Sequence, residues 1–110
     1  LMMNASPDPA ANLPNNASRD PLMVRLYIAG GALNSLRALM NLKAICEEYF
    51  PKHYQIEVID IFEDPLRALT DKVLVTPTLV KTSPPPSIRL AGDLSQKQTV
   101  LLVLQSTTRK

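Results

Sequence analysis

Few side chains in this sequence of 110 residues could do covalent or proton-transfer chemistry. It holds one cysteine, Cys46, and one histidine, His53. A single thiol excludes an intramolecular disulfide and a thiolate metal cluster. Cys46 falls well inside an apolar helical pattern, so it reads as a buried free thiol, because reactive thiols need exposure and an electropositive setting. His53 sits in the polar turn Lys52-His53-Tyr54 behind Pro51 and reads as a surface histidine. Asp60, Glu63, Asp64 and Asp71 supply carboxylates, but Asp64 precedes Pro65 as a helix cap, and no histidine or spaced acidic pattern completes a metal site. Gly30-Gly31 lacks the lysine and further glycines of a phosphate-binding loop. Asn4-Ala5-Ser6 and Asn16-Ala17-Ser18 match the glycosylation pattern, but no basic and apolar leader precedes them. The residues therefore predict no catalytic group, no metal and no cofactor, in a cytoplasmic protein that is not an enzyme.

Charge narrows the partners. Twelve Lys/Arg against ten Asp/Glu give +2, and residues 22–110 alone carry eleven against eight, or +3. The cations are scattered, and three Tyr and two Phe offer little for base stacking, so nucleic acid is not expected. No run approaches the ~18 apolar residues of a membrane span, so no membrane is expected either. Residues 1–21 are rich in Pro and Asn without apolar periodicity and read as a disordered N-terminal arm. Residues 22–110 read as one domain, large enough to bury roughly two-thirds of its unfolded surface.

These side chains hang on alternating strand and helix patterns. Residues 24–28 (VRLYI) predict a buried strand closed by Gly30-Gly31. Asn34 and Ser35 offer N-cap oxygens to a helix over 34–50, with Leu36, Leu39, Met40, Leu42, Cys46 and Tyr49 as its apolar face. Residues 55–61 predict a second strand, and Asp64-Pro65 opens a short helix to about Asp71. Leu79-Val80 and Ser87–Ala91 read as strands around the rigid corner Pro84-Pro85-Pro86. Ser95 and Gln98 fit a capping box before a last segment, 99–104, whose apolar composition suits a buried helix or a strand equally. Val73-Leu74-Val75 is ambiguous in the same way. The order β-α-β-α-β-β-α is an α/β layering with the layout of thioredoxin. Where thioredoxin carries its redox pair, this chain has Gly31-Ala32-Leu33-Asn34, without a thiol.

Several longer stretches carry a resemblance. Leu26-Tyr27-Ile28-Ala29-Gly30, Asn34-Ser35-Leu36-Arg37-Ala38-Leu39 and Val58-Ile59-Asp60-Ile61 resemble the KaiB family of circadian clock proteins. So do Asp71-Lys72, Thr76-Pro77-Thr78-Leu79, the triple proline and Gly92-Asp93-Leu94-Ser95, over roughly residues 24–105. The resemblance implies a thioredoxin-like KaiB fold whose β-α-β first half is constant and whose second half switches fold. It implies a non-enzymatic regulator that binds the ATPase and autokinase KaiC and biases it toward dephosphorylation. It implies homodimers or homotetramers. It places partner contacts on Arg37, Lys43, Lys72 and Arg89, and control of the rearrangement on Pro77, Gly92 and Asp93. Glu57 departs from the family, where a basic residue is common. The alternative implied by the related sensor domain of the histidine kinase SasA is a stand-alone thioredoxin-fold adaptor of a signalling kinase.

Overall fold

The computed structural model describes residues 21–107, so all of the expected N-terminal arm except Pro21 lies outside the described residues. The elements run β1 (Leu22–Ile28), α1 (Leu33–Tyr49), β2 (Tyr54–Asp60), α2 (Pro65–Thr70), β3 (Thr78–Ser83), β4 (Ile88–Ala91) and α3 (Lys97–Gln105). They form one four-stranded sheet in the order β2-β1-β3-β4. β1 pairs parallel with β2, from Leu22 opposite Tyr54 to Ile28 opposite Asp60, and antiparallel with β3. β4 pairs antiparallel with β3.

The period of two along β1 builds both layers. Leu22, Val24 and Leu26 face α1 and α3, joining Ala38, Leu42, Ile45, Cys46, Leu79, Leu94, Val100, Leu101 and Leu104 in the main core. Tyr27 points to the opposite face and packs with Ile59, Ala68 of α2 and Val80. Asp60 fastens the two βα junctions together, its Oδ1 accepting from the amides of Gly30 (3.1 Å) and Phe62 (2.9 Å). Lys97 joins the start of α3 to the end of α1, donating to Glu48 at 3.1 Å and lying 5.2 Å from the Tyr49 ring centre.

Several local expectations are corrected. α1 begins after Ala32 without a side-chain cap, and Ser35 instead accepts from the amide of Ala29 at 3.0 Å, bracing the preceding turn. The buried stripe of α1 is Ser35, Ala38, Leu42, Ile45 and Cys46. Leu36, Met40 and Tyr49 are exposed, Met40 by 70%. The helix is apolar on more than one side, and the stripe that carries Ser35 and Ala38 permits a closer approach to the sheet. Asp64 does stand at the N-cap of α2, with Pro65 in the first turn, but makes no side-chain cap bond. Gln96 rather than Ser95 stands at the N-cap of α3, so the capping box does not form. The ambiguous segment 99–104 is helix, and Val73-Leu74-Val75 is irregular.

Candidate partner-binding surface

The four cations expected to meet a partner lie on opposite sides of the sheet. Arg37 and Lys43 are exposed on α1, over the main core. Lys72 and Arg89 lie on the α2 side, at the turn after α2 and on β4.

On that second side, a row of side chains crosses all four strands in register: Glu57 on β2, Arg25 on β1, Val80 on β3 and Arg89 on β4. Arg67 of α2 grips Glu57 with two guanidinium nitrogens, at 2.7 and 3.0 Å, and Arg25 lies 3.5 Å from the same carboxylate. Arg25 also donates to Asp71 Oδ2 at 2.9 Å. The buried Tyr27 hydroxyl donates to the same oxygen. Arg89 closes the set, donating to the carbonyls of Asp71 and, at 3.0 Å, Lys72. The Tyr27 hydroxyl, followed by Arg25, holds the Asp71 carboxyl below its ordinary value. Arg67 does the same for Glu57. Burial, with the Asp71 carboxylate second, pushes the Tyr27 phenol up.

Arg89 is thus committed to holding the end of α2, whereas the exposed ammonium of Lys72 projects from a left-handed turn with φ +57°. Glu57, set apart in the sequence by its charge, accepts from Arg67 and forms an ion pair with Arg25. Sequence reasoning missed Arg25, Arg67 and Asp71 as parts of this surface. Arg25 carried a signal, since it shares the strand parity of Tyr27 and stands opposite Glu57 once the strands pair in parallel. Around α2 the side chains of Phe62, Leu66, Leu69, Leu74 and Val75 are exposed, Leu74 by 92%. A hollow of about 200 Å³ lined by Ile61, Ala68, Val73, Leu74, Val75 and Thr76 opens beside them. It is smaller than most small-molecule sites, and exposed apolar clusters of this kind suit a protein surface. Among the described residues no group of three or more His, Cys, Asp and Glu is placed to hold a metal, and no helix is long and apolar enough to cross a membrane.

Pro77, Gly92 and Asp93 come together at one junction. The Gly92 amide donates to the Pro77 carbonyl at 2.9 Å, tying the entry of β3 to the exit of β4. Gly92 has φ +115°, which an L side chain rarely adopts, although the space around a Cβ there is open. Asp93 accepts from the Ser95 amide at 3.0 Å, and its carbonyl accepts from the Asn41 side chain of α1 at 2.9 Å. Bonding to Ser95 leads the causes that hold the Asp93 carboxyl low, with the Arg37 charge a lesser one, and the Asn41 bond ties this junction to α1.

The KaiB domain model matches residues 25–106. The chain is 45% identical over 83 residues to "Circadian clock protein KaiB3" of Synechocystis sp., covering 76% of this chain and 81% of that protein. It is 48% identical over 82 residues to "Circadian clock oscillator protein KaiB" of Microcystis aeruginosa, covering 74% and 79%. The chain belongs to the KaiB family. KaiB proteins are clock regulators and not enzymes. In this KaiB member burial pushes the thiol of the buried Cys46 up to about 12. Among solved structures it is similar to the N-terminal domain of SasA from Synechococcus elongatus, with TM-score 0.66 and 23% identity over 78% of this chain and 82% of that one. Chloroplastic thioredoxin z gives TM-score 0.64 and 24% identity over 79% of each chain. At these identities the likeness is one of fold. This KaiB chain has a thioredoxin-like fold.

Proposed function

We propose that this chain is a KaiB-type regulator that binds a KaiC-like ATPase and modulates its phosphorylation state, in a circadian clock or a clock-derived stress-adaptation system. One observation carries the reading: a chain of KaiB sequence has the thioredoxin-like fold shared with the SasA N-terminal domain, with exposed cations on a mildly basic domain. Lys72, Arg37 and Lys43 present long cations to an acidic partner, and such charges chiefly speed association and weaken with salt. The second half, from Asp64 on, rearranges between this and another packing, with Pro77, Gly92 and Asp93 at the pivot. The protein acts in the cytoplasm.

Capture of a KaiC-like ATPase by the tagged protein tests this reading, with a sensor histidine kinase as the competing bait. The ATPase is expected to be retained, and retention is expected to fall several-fold at low salt when Arg37 and Lys43 are both replaced by Glu, or when Lys72 is. Because these positions lie on opposite sides of the sheet, one rigid partner should be more sensitive to one change than to the other. Retention of the kinase alone would point to the adaptor instead, and unchanged capture in both variants would remove these cations from the contact.

Self-association is the second expectation. Phe62, Leu66, Leu69, Leu74 and Val75 leave apolar surface uncovered, and symmetric pairing is the common way to cover it. Sedimentation at micromolar concentrations should show dimers or tetramers. A monomer throughout that range would oppose it.

A further inference from the structure

Lys81 is the most unusual buried group in the fold. It lies in β3 opposite Val24, on the side of the sheet covered by α1 and α3, and it is 0% exposed. Among the described residues no carboxylate pairs with it. Its ammonium instead donates to two main-chain carbonyls, that of Pro84 in the proline corner and that of Ser106 at 2.6 Å. Ser106 is the C-cap of α3.

The last carbonyls of a helix have no intrahelical partners and carry the negative end of its dipole, so a cation placed there is favourable. α3 brings no basic residue to its own last turn. Lys81 supplies that cation from a strand 25 residues earlier in the chain, while its other bond holds the corner only three residues on. One ammonium therefore joins the beginning, the corner and the end of the 78–106 unit. Burial opposes the charge and pushes the lysine below its ordinary value. A methionine of similar length would fill the same space without that cost, but it would make neither bond and would leave the end of α3 free to settle elsewhere on an apolar surface. In several proteins a buried polar or charged group kept at a cost selects one arrangement over others.

We propose that Lys81 is a latch that fixes α3 in one docked position, holding the carbonyl of its C-cap residue Ser106 and binding the helix end to the proline corner through a single buried ammonium. The inference stands on these contacts and does not depend on the identity of the partner.

Amide hydrogen exchange on the intact chain, wild type against Lys81→Met, tests it. The first half, residues 22–60, serves as the internal reference. The latch predicts that exchange in α3 and at the amides flanking the proline corner, Thr82, Ser83, Ser87 and Ile88, accelerates by about tenfold or more, as expected when charged hydrogen bonds are lost locally, with the first half unchanged. Three results would overturn it. Unchanged protection would show that only the methylene stem matters. An equal loss of protection in both halves would make Lys81 an ordinary member of the shared core. Failure of Lys81→Met to fold, detected by loss of the first half's circular dichroism and dispersed amide signals, would likewise show a role in the whole domain.

Discussion

Asp71→Ala is expected to destabilise the protein by about 2–3 kcal/mol, because it strands a buried phenol hydroxyl and leaves a half-buried guanidinium with a weaker partner. Tyr27 is fully buried and gives its proton to Asp71, and Arg25 reaches the same oxygen at 2.9 Å. Loss of the carboxylate leaves the hydroxyl only the distant Arg67 carbonyl, at 3.5 Å. Arg25 keeps only its 3.5 Å contact with Glu57. For a domain of this size each kcal/mol lowers the melting temperature by roughly 4–8 °C, so a fall of about 10–20 °C should appear in thermal unfolding. The companion change Tyr27→Phe removes the buried donor and leaves Asp71 with Arg25, so it should cost less. Equal losses would show that the phenol bond carries the whole effect and that the Arg25 contact with Asp71 adds nothing.

The acid limb provides an independent check. Asp71 is held below its ordinary value in the folded protein, so the unfolded chain binds the extra proton first as pH falls. Its stabilisation is complete above the unfolded value, near 3.9, and is lost as pH falls from there through the lowered folded value. Glu57, held low by Arg67, acts in the same direction. Wild type should therefore lose stability steeply below about pH 4, and Asp71→Ala should lose less over the same interval. Parallel slopes would show that the carboxylate is not coupled to folding.

Gly92→Ala is expected to work against the second half specifically. At φ +115° an alanine costs about 1–3 kcal/mol in backbone strain even though open space surrounds the position, a factor of roughly 5–150 against any packing that requires this conformation. The strain falls where the Gly92 amide is tied to Pro77 and where Asp93 bonds Ser95, so it is felt between β3, β4 and the approach to α3. Adding Asp93→Arg removes the Ser95 bond and replaces a carboxylate that the Arg37 charge favours with a cation that it disfavours, in the same unfavourable direction. If the second half has another packing that does not need a positive φ at residue 92, the double variant populates it. NMR would then show new signals for residues 65–105 while those of β1, α1 and β2 stay in place. One set of shifts differing only around the turn, with a lower melting temperature, would mean that the chain has a single packing and that the reading of a rearranging second half is wrong.

Much of this protein follows from its sequence because the deciding interactions are local. The buried strand VRLYI closed by Gly30-Gly31, the helix ended by Pro51, the Asp64-Pro65 start of α2 and the order of all seven elements depend on local backbone preference and apolar patterning. Cys46 inside an apolar stripe, with no second thiol at the first βα junction, already set redox chemistry aside. Tertiary structure decided what local preference leaves degenerate. α1 is apolar on more than one side, and only contact with the sheet selects Ser35, Ala38 and Leu42 for burial and leaves Leu36 and Met40 outside. Residues 99–104 suit a strand or a helix in isolation, and docking against β4 and the core residues of α1 makes them part of a helix. Four cations that look equivalent in the sequence separate onto two faces, and Arg89 is taken up by the carbonyls of Asp71 and Lys72, because strand register sets which side chains meet. Lys81 is the sharpest case. Alternation with Leu79 points it inward and its charge argues for solvent, and only the convergence of the Pro84 and Ser106 carbonyls, brought together by the fold, lets an ammonium stay buried there.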